Sequence, residues 1–252
     1  MMTENTSQNI VVVVDGTVVD YESLLTDINP NATVIVLSDE QRGLDGLAAA
    51  LAGYDGIDEL HLVTEGASGT LYLSGIAVTE STVGQYTAQL AEIGSHLSDG
   101  ADLLLYGCSV ALTGDGKDFV QSIAASLGGH VDVAASTDST GPTRLGGDWD
   151  LEYAVGDVDS ILPFSVAGMQ DIDHCLGCTK ANQKIYLDGV QIGTYSFAGG
   201  LGISYTDGTV NEDVWADFEA AVCGAAAPTV SLSVSPSSIS ETGGTSTVTA
   251  TL

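Results

Sequence analysis

Basic residues are the scarcest resource of this chain: 5 Lys and Arg stand against 34 Asp and Glu in 252 residues, for a formal net charge of −29 and a pI near 4.1. Phosphate backbones and anionic lipid headgroups repel such a surface, which excludes nucleic acid as a partner and leaves cations or other proteins. Long apolar runs are also missing. Nothing approaches the roughly 18 residues of a membrane-spanning helix, and V-V-V-V at 11–14 is far too short, so no membrane insertion is expected. The opening M-M-T-E-N-T-S-Q-N-I carries neither a basic leader nor a small-residue cleavage motif, so any secretion must use a route other than a standard N-terminal signal peptide.

Cysteine is sparse and unevenly placed. Cys108 stands alone, whereas Cys175, Cys178 and Cys223 fall in the last third. A C-x2-C beside His174 suggests zinc, but no second ligand pair follows at finger-like spacing. In an extracellular setting a disulfide from Cys223 to either Cys175 or Cys178 is the better expectation, and it leaves one thiol over. No internal repeat is evident.

What the chain does have is 44% hydrophobic residues, enough for a substantial core. Over 1–174, short aliphatic runs alternate with helical candidates. N-I-V-V-V-V-D, T-V-I-V-L-S, E-L-H-L-V-T, A-D-L-L-L-Y-G and V-D-V-A-A-S suit strands buried on both faces of a mainly parallel sheet. Helices are expected at 42–52, 81–98 and 116–127, and in the second of these Val83, Tyr86, Leu90, Ile93 and Leu97 form one apolar stripe. The pattern predicts a three-layer α/β sandwich with helices on both faces, and a small hairpin or edge extension at L-Y-L-S-G.

The pattern changes near residue 175. Residues 175–226 read as a small β-rich, cysteine-containing region, with a hairpin in Y-L-D-G-V-Q-I-G-T and one short amphipathic helix in N-E-D-V-W-A-D-F-E-A-A-V. Residues 227–252 alternate Ser and Thr with apolar residues. They are expected to be a linker or the first strands of an incomplete Ig-like or Calx-β-like β-sandwich, as in the front of a longer architecture.

In open α/β sheets, functional residues collect beyond the C-terminal ends of the strands. Glu65 and Gly66 follow one such end and Cys108 follows another; adjacent parallel strands would bring the two tips together, as a cysteine nucleophile and its partner require. A lone cysteine at a buried strand end is otherwise commonly inert. His61 reads as a core histidine bonded locally, and His96 as a dipole contact near a helix C-terminus. His130 precedes a strand, and His174, beyond the domain, has no catalytic partner readable from the sequence. Asp115, Asp118, Asp148 and Asp150 are weak calcium candidates without an EF-hand loop, equally explained as solvated positions. No organic cofactor is expected, and Trp149 is expected to pack on the sheet edge.

The segments H-L-V-T-E-G-A-S-G-T-L, L-L-L-Y-G-C-S-V-A, G-K-D-F-V-Q-S-I-A, D-V-A-A-S-T-D-S-T-G and G-G-D-W-D-L-E occur in consistent order from about residue 9 to 165. Together they resemble a caspase- or gingipain-like domain of unknown function, domain 4347, found near the N-terminus of giant bacterial surface and secreted proteins. The resemblance implies a caspase-type sandwich with a catalytic dyad, a His in S-H-G and a Cys in Y-G-C. Carried over, Y-G-C lands on Cys108, and S-H-G lands on Thr64, Glu65 and Gly66. Cys108 thus holds the nucleophile position, Gly66 can offer an amide to an oxyanion, and Glu65 replaces the histidine. An ionised carboxylate there raises a thiol pKa where an imidazolium would lower it.

The resulting expectation is an inactive, caspase-like module of a large extracellular or cell-surface protein, serving adhesion, assembly or a structural role through protein partners. The alternatives are an active or self-processing cysteine endopeptidase using Cys108, and a self-associating, filament-like structural subunit.

Overall fold

The structure, a computed structural model, describes residues 8–38 and 40–177, and beyond them the strand backbone at 179–181, 184–187, 190–196, 202–205, 208–211, 231–235 and 247–251. The aliphatic runs become strands where expected. In chain order these are β1 (Ile10–Asp15), β2 (Thr33–Leu37), β3 (Ile57–Val63), the short β4 (Glu65–Ala67), β5 (Thr70–Leu73) and β6 (Ile76–Thr79), then β7 (Leu97–Tyr106), β8 (Val131–Ala135) and β9 (Tyr153–Val155). Six of them make one sheet in the order β2-β1-β3-β7-β8-β9, parallel except for β9. All six residues of β1 are buried, which is why its sequence is a continuous apolar run rather than an alternation. The edge strand β2 instead alternates half-buried and exposed residues until Leu37. The hairpin expected at 71–75 is larger than its sequence suggested: β4, β5 and β6 form a separate antiparallel sheet.

Side chains of β1 alternate between two cores. Val11 and Val13 face α2 (Gly43–Leu51 in the chain, after the one-turn α1, Tyr21–Leu24), where they meet Leu44 and Leu47. The expected 81–98 helix is divided into α3 (Glu80–Val83), a 3-10 turn at Gly84–Tyr86 and α4 (Thr87–Ser95). Its apolar stripe survives the break, because Val83, Leu90 and Ile93 stay buried and Tyr86 packs against them; Leu97 is buried too, but as the first residue of β7. Helix α5 (Gly114–Ser126) completes this layer with Phe119, Val120 and Ile123, and the Thr113 hydroxyl caps its start by accepting from the Gly116 amide at 3.2 Å.

The opposite face differs from the expected helical layer. It is covered by α1, the short α6 (Val166–Asp171) and extended chain between residues 149 and 176, which bury Leu24, Trp149, Phe164, Ile172 and Leu176 on Ile10, Val12, Val14 and Tyr106. Trp149 therefore lies on the sheet face and not at its edge. Its ring centroid is 6.0 Å from Tyr106 and 5.5 Å from Phe164, and its Nε1–H donates to the Met169 carbonyl at 3.2 Å. The packed α/β unit runs through Leu176, two residues past the expected boundary.

Beyond it, the strands from Thr179–Ala181 to Gly208–Asn211 form a five-stranded antiparallel sheet that includes the expected Lys184–Leu187 and Val190–Ser196 pair. Ser231–Ser235 pairs antiparallel with Thr247–Thr251. Residues 212–222, the body of the expected helix, lie outside the described residues, as do Cys178 and Cys223. Among the described residues no helix is long and apolar enough to cross a membrane.

Because Trp149 fills the second core and satisfies its own N–H there, Trp149→Ala should cost about 3–5 kcal/mol of stability by urea unfolding. A loss below about 1 kcal/mol would place it at the edge instead.

Candidate active site at the strand tips

The neighbouring strands β3 and β7 end side by side, and the Thr64 amide extends their ladder by donating to the Tyr106 carbonyl at 3.0 Å. Beyond this point the two chains touch backbone to backbone. A Cβ on Gly66 would lie 2.8 Å from the Gly107 carbonyl carbon and 2.9 Å from Val110 Cγ2, so glycine is the residue that permits the approach. Cys108 follows immediately, 6% exposed, and Ser109 then adopts a left-handed φ of 61°. That conformation costs a non-glycine residue roughly 1–2 kcal/mol. Hydrogen bonding holds it in place, since the Ser109 amide donates to the Asp138 carbonyl at 2.5 Å. The Cys108 thiol points at the Thr140 carbonyl, with Sγ 3.6 Å from the oxygen.

A distant piece of chain lies across these tips. The Leu176 carbonyl oxygen accepts from the Gly66 amide at 3.1 Å and from the Cys108 amide at 2.5 Å, and the Leu176 amide donates to the Thr140 carbonyl at 2.8 Å. Its side chain is fully buried in the second core with Cys108, Trp149 and Phe164. Gly177 rests on the cysteine: a Cβ there would sit 3.1 Å from Cys108 Sγ and 3.2 Å from Cys108 Cβ. Two backbone donors converging on one carbonyl oxygen beside a cysteine sulfur is the geometry of an oxyanion hole. The Gly66 amide expected to be available for an oxyanion is therefore engaged by the protein's own backbone.

The same segment carries the histidine that sequence reasoning left without a partner. His174 Nε2 lies 3.3 Å from Glu65 Oε1, and its Nδ1 lies 3.2 Å from Asp173 Oδ1. Burial on its own disfavours the imidazolium, but the hydrogen bonds and charges of Glu65 and Asp173 outweigh it and hold the His174 pKa above its ordinary 6.5. A histidine is thus present at the tip of β3, brought to Glu65 from 109 residues away. No sequence signal marks this contact, because D-H-C-L-G has no local periodicity and its partner is remote.

The other histidines sit elsewhere. His61 is fully buried between Glu59 and Tyr106, with ring nitrogens 3.1 and 3.2 Å from Glu59 Oε2 and the Tyr106 hydroxyl. His96 caps α4 and reaches Asp55, and His130 Nε2–H donates to the Gly94 carbonyl of α4 at 3.2 Å. Of the calcium candidates, Asp148 joins Asp138 and Glu152 in a cluster whose carboxylate oxygens lie within 4.8 Å of one another and could chelate a metal ion. Burial, then the charges of Glu152 and Asp148, raises the pKa of Asp138, as expected for like charges held together. Asp115 lies instead in the first turn of α5, where an acidic side chain favours the helix dipole, Asp118 lies in the body of that helix, and Asp150 uses its amide to bond Asp148 at 3.0 Å. Cys175 is half-buried against Gly141; its expected partner Cys223, and Cys178, the alternative half of that disulfide, lie outside the described residues.

The fold and site define a mixed α/β domain with a mostly parallel six-stranded sheet and an amide cradle at two strand tips. The sequence profile of a domain of unknown function, DUF4347, matches residues 11–176, and the chain belongs to that family. The matched region ends at the residue whose carbonyl fills the cradle. No curated protein and no solved structure matches the chain.

A pKa held above 6.5 makes His174 more protonated when folded than when unfolded, so its pairing adds stability that is complete below about pH 6.5 and is lost as pH rises through the folded value. Glu65→Gln should accordingly lower the His174 midpoint in an NMR titration. An unchanged midpoint would show that Glu65 does not hold the imidazolium.

Proposed function

We propose that the domain is a cysteine-peptidase-type module of caspase-like architecture, part of a large extracellular or cell-surface bacterial protein, whose site is directed at its own chain. Cys108 is the nucleophile, and the amides of Gly66 and Cys108 form the oxyanion hole. The observation that carries this reading is the capture of the Leu176 carbonyl by both amides, beside the cysteine. Another peptide could enter only after residues 174–177 had left, which argues against a general protease acting on other proteins. The acidic surface and the Ser/Thr-rich strands at 231–251 support the extracellular setting.

Glu65 favours a second reading, a non-catalytic module for adhesion or assembly, because a carboxylate beside a thiol opposes thiolate formation. The pairing with His174 weakens this objection, since an imidazolium at 3.3 Å offsets the carboxylate charge. The two readings differ in the acidity and accessibility of Cys108.

Leu176→Gly removes the buried anchor of the segment while leaving His174 in place. With a phosphine reductant present, peptide mapping should find Cys108 alkylated by iodoacetamide at least tenfold faster in this variant than in the parent, with a pH midpoint below the roughly 8.5 of an ordinary thiol. A midpoint at or above that value would favour the non-catalytic reading.

A further inference from the structure

We propose that the Leu176–Gly177 peptide bond is the substrate of Cys108, cut once within the same chain, and that Glu65 is the carboxylate that recognises His174 on the substrate segment. The inference rests on the cysteine-peptidase reading above and names its substrate.

Five contacts place this bond. The carbonyl oxygen on its N-terminal side is held by the Gly66 and Cys108 amides, at 3.1 and 2.5 Å. The residue on its C-terminal side lies against the sulfur, where a Cβ would stand 3.1 Å away, so a branched side chain immediately after the bond would press on the cysteine. The Leu176 side chain fills the second core and is fully buried, which sets the register of the segment to a single residue. Two residues earlier, His174 docks on Glu65 at 3.3 Å, and between them the Leu176 amide donates to Thr140 at 2.8 Å. A segment turned at Leu176, where the Gly177 amide donates to the Cys175 carbonyl at 2.9 Å, is thus bound through backbone, side chain and charge.

The chemistry balances with water as the only co-reactant. Cys108 Sγ attacks the Leu176 carbonyl carbon, and the developing oxyanion stays on the two amides that already hold the oxygen. The C–N bond to Gly177 breaks, the thiol proton ends on the departing Gly177 nitrogen, and a thioester joins Cys108 to Leu176. Water then hydrolyses the thioester, returning the thiol and leaving a Leu176 carboxylate. A weakly activated nucleophile suffices for this task. Intramolecular placement is worth effective concentrations of about 10⁵–10⁸ M, and a reaction needed once per molecule has no turnover to sustain. The new carboxylate remains beside the same two amides, so the cut site stays closed to other peptides.

On this account Glu65 is no relic of a vanished base. It occupies the place of the dyad histidine because the substrate segment brings a histidine of its own.

The test follows the full 252-residue chain in reducing buffer at neutral pH, by intact mass and N-terminal sequencing. The expected result is a fragment ending at Leu176 and a second beginning at Gly177, with both Cys108→Ser and Gly177→Val remaining whole. Glu65→Gln should slow the cut at least tenfold and Glu65→Asp should restore most of the rate, a rescue that a purely structural role would not produce. Gly177 is buried against Cys108, so urea unfolding curves of both whole variants that match the parent's guard against misfolding. Cleavage that persists in Cys108→Ser, or that falls at another bond, overturns the proposal. A chain that stays whole while Cys108 titrates as an activated thiol also overturns it, but leaves the cysteine-peptidase reading standing. A whole chain with an inert Cys108 removes both.

Discussion

One carbonyl oxygen organises the working end of this domain. Leu176 O is shared by the amides that follow β3 and β7, and that pair of hydrogen bonds closes the segment at 174–177 onto the tips of the two central strands. Buried backbone donors must find acceptors, and each left unsatisfied costs roughly 1–3 kcal/mol. With Leu176 absent, two adjacent donors would lose their partner at once. The same residue anchors the second core, so the site and the packing of that face stand or fall together.

The second core explains how a segment far along the chain reaches this place. The layer over Ile10, Val12 and Val14 has little helix, and its stability comes from aromatic and aliphatic side chains on extended chain. Tyr106, Trp149 and Phe164 meet within 6.0 Å of one another and lay a floor on which Leu176 sits. Thr140, which receives the Leu176 amide, also faces the Cys108 thiol, so one loop positions both the sulfur and the segment laid across it. Charge contributes the last element. In a chain with a net charge of −29, a half-buried imidazolium between Glu65 and Asp173 is one of few cations available to a buried carboxylate.

Much of this was legible in the sequence where the information is local. Continuous aliphatic runs mark strands buried on both faces, and the residues just past β3 and β7 were identifiable as neighbours because parallel strands align their C-terminal ends. The 81–98 helix was misjudged at its break and at its end, where Leu97 already opens β7, since a stripe of apolar residues records which side is buried and not whether the axis is continuous. Trp149 and Asp138 were misplaced or missed because irregular chain has no period to read. His174 and Leu176 were invisible for the same reason, compounded by distance: nothing in D-H-C-L-G announces a contact with a carboxylate 109 residues earlier.

Glu65 illustrates the consequence. Taken with its sequence neighbours it reads as a carboxylate that opposes a nearby thiolate, whereas in the structure it pairs with His174 at 3.3 Å, and only that long-range contact separates the two readings. The most direct measurement is the scalar coupling that a hydrogen bond transmits between its amide nitrogen and its carbonyl carbon, recorded in the Cys108→Ala chain. Couplings from both the Gly66 and the residue-108 nitrogens to the Leu176 carbonyl carbon are predicted. Their absence, with the rest of the parallel sheet intact, would contradict the account.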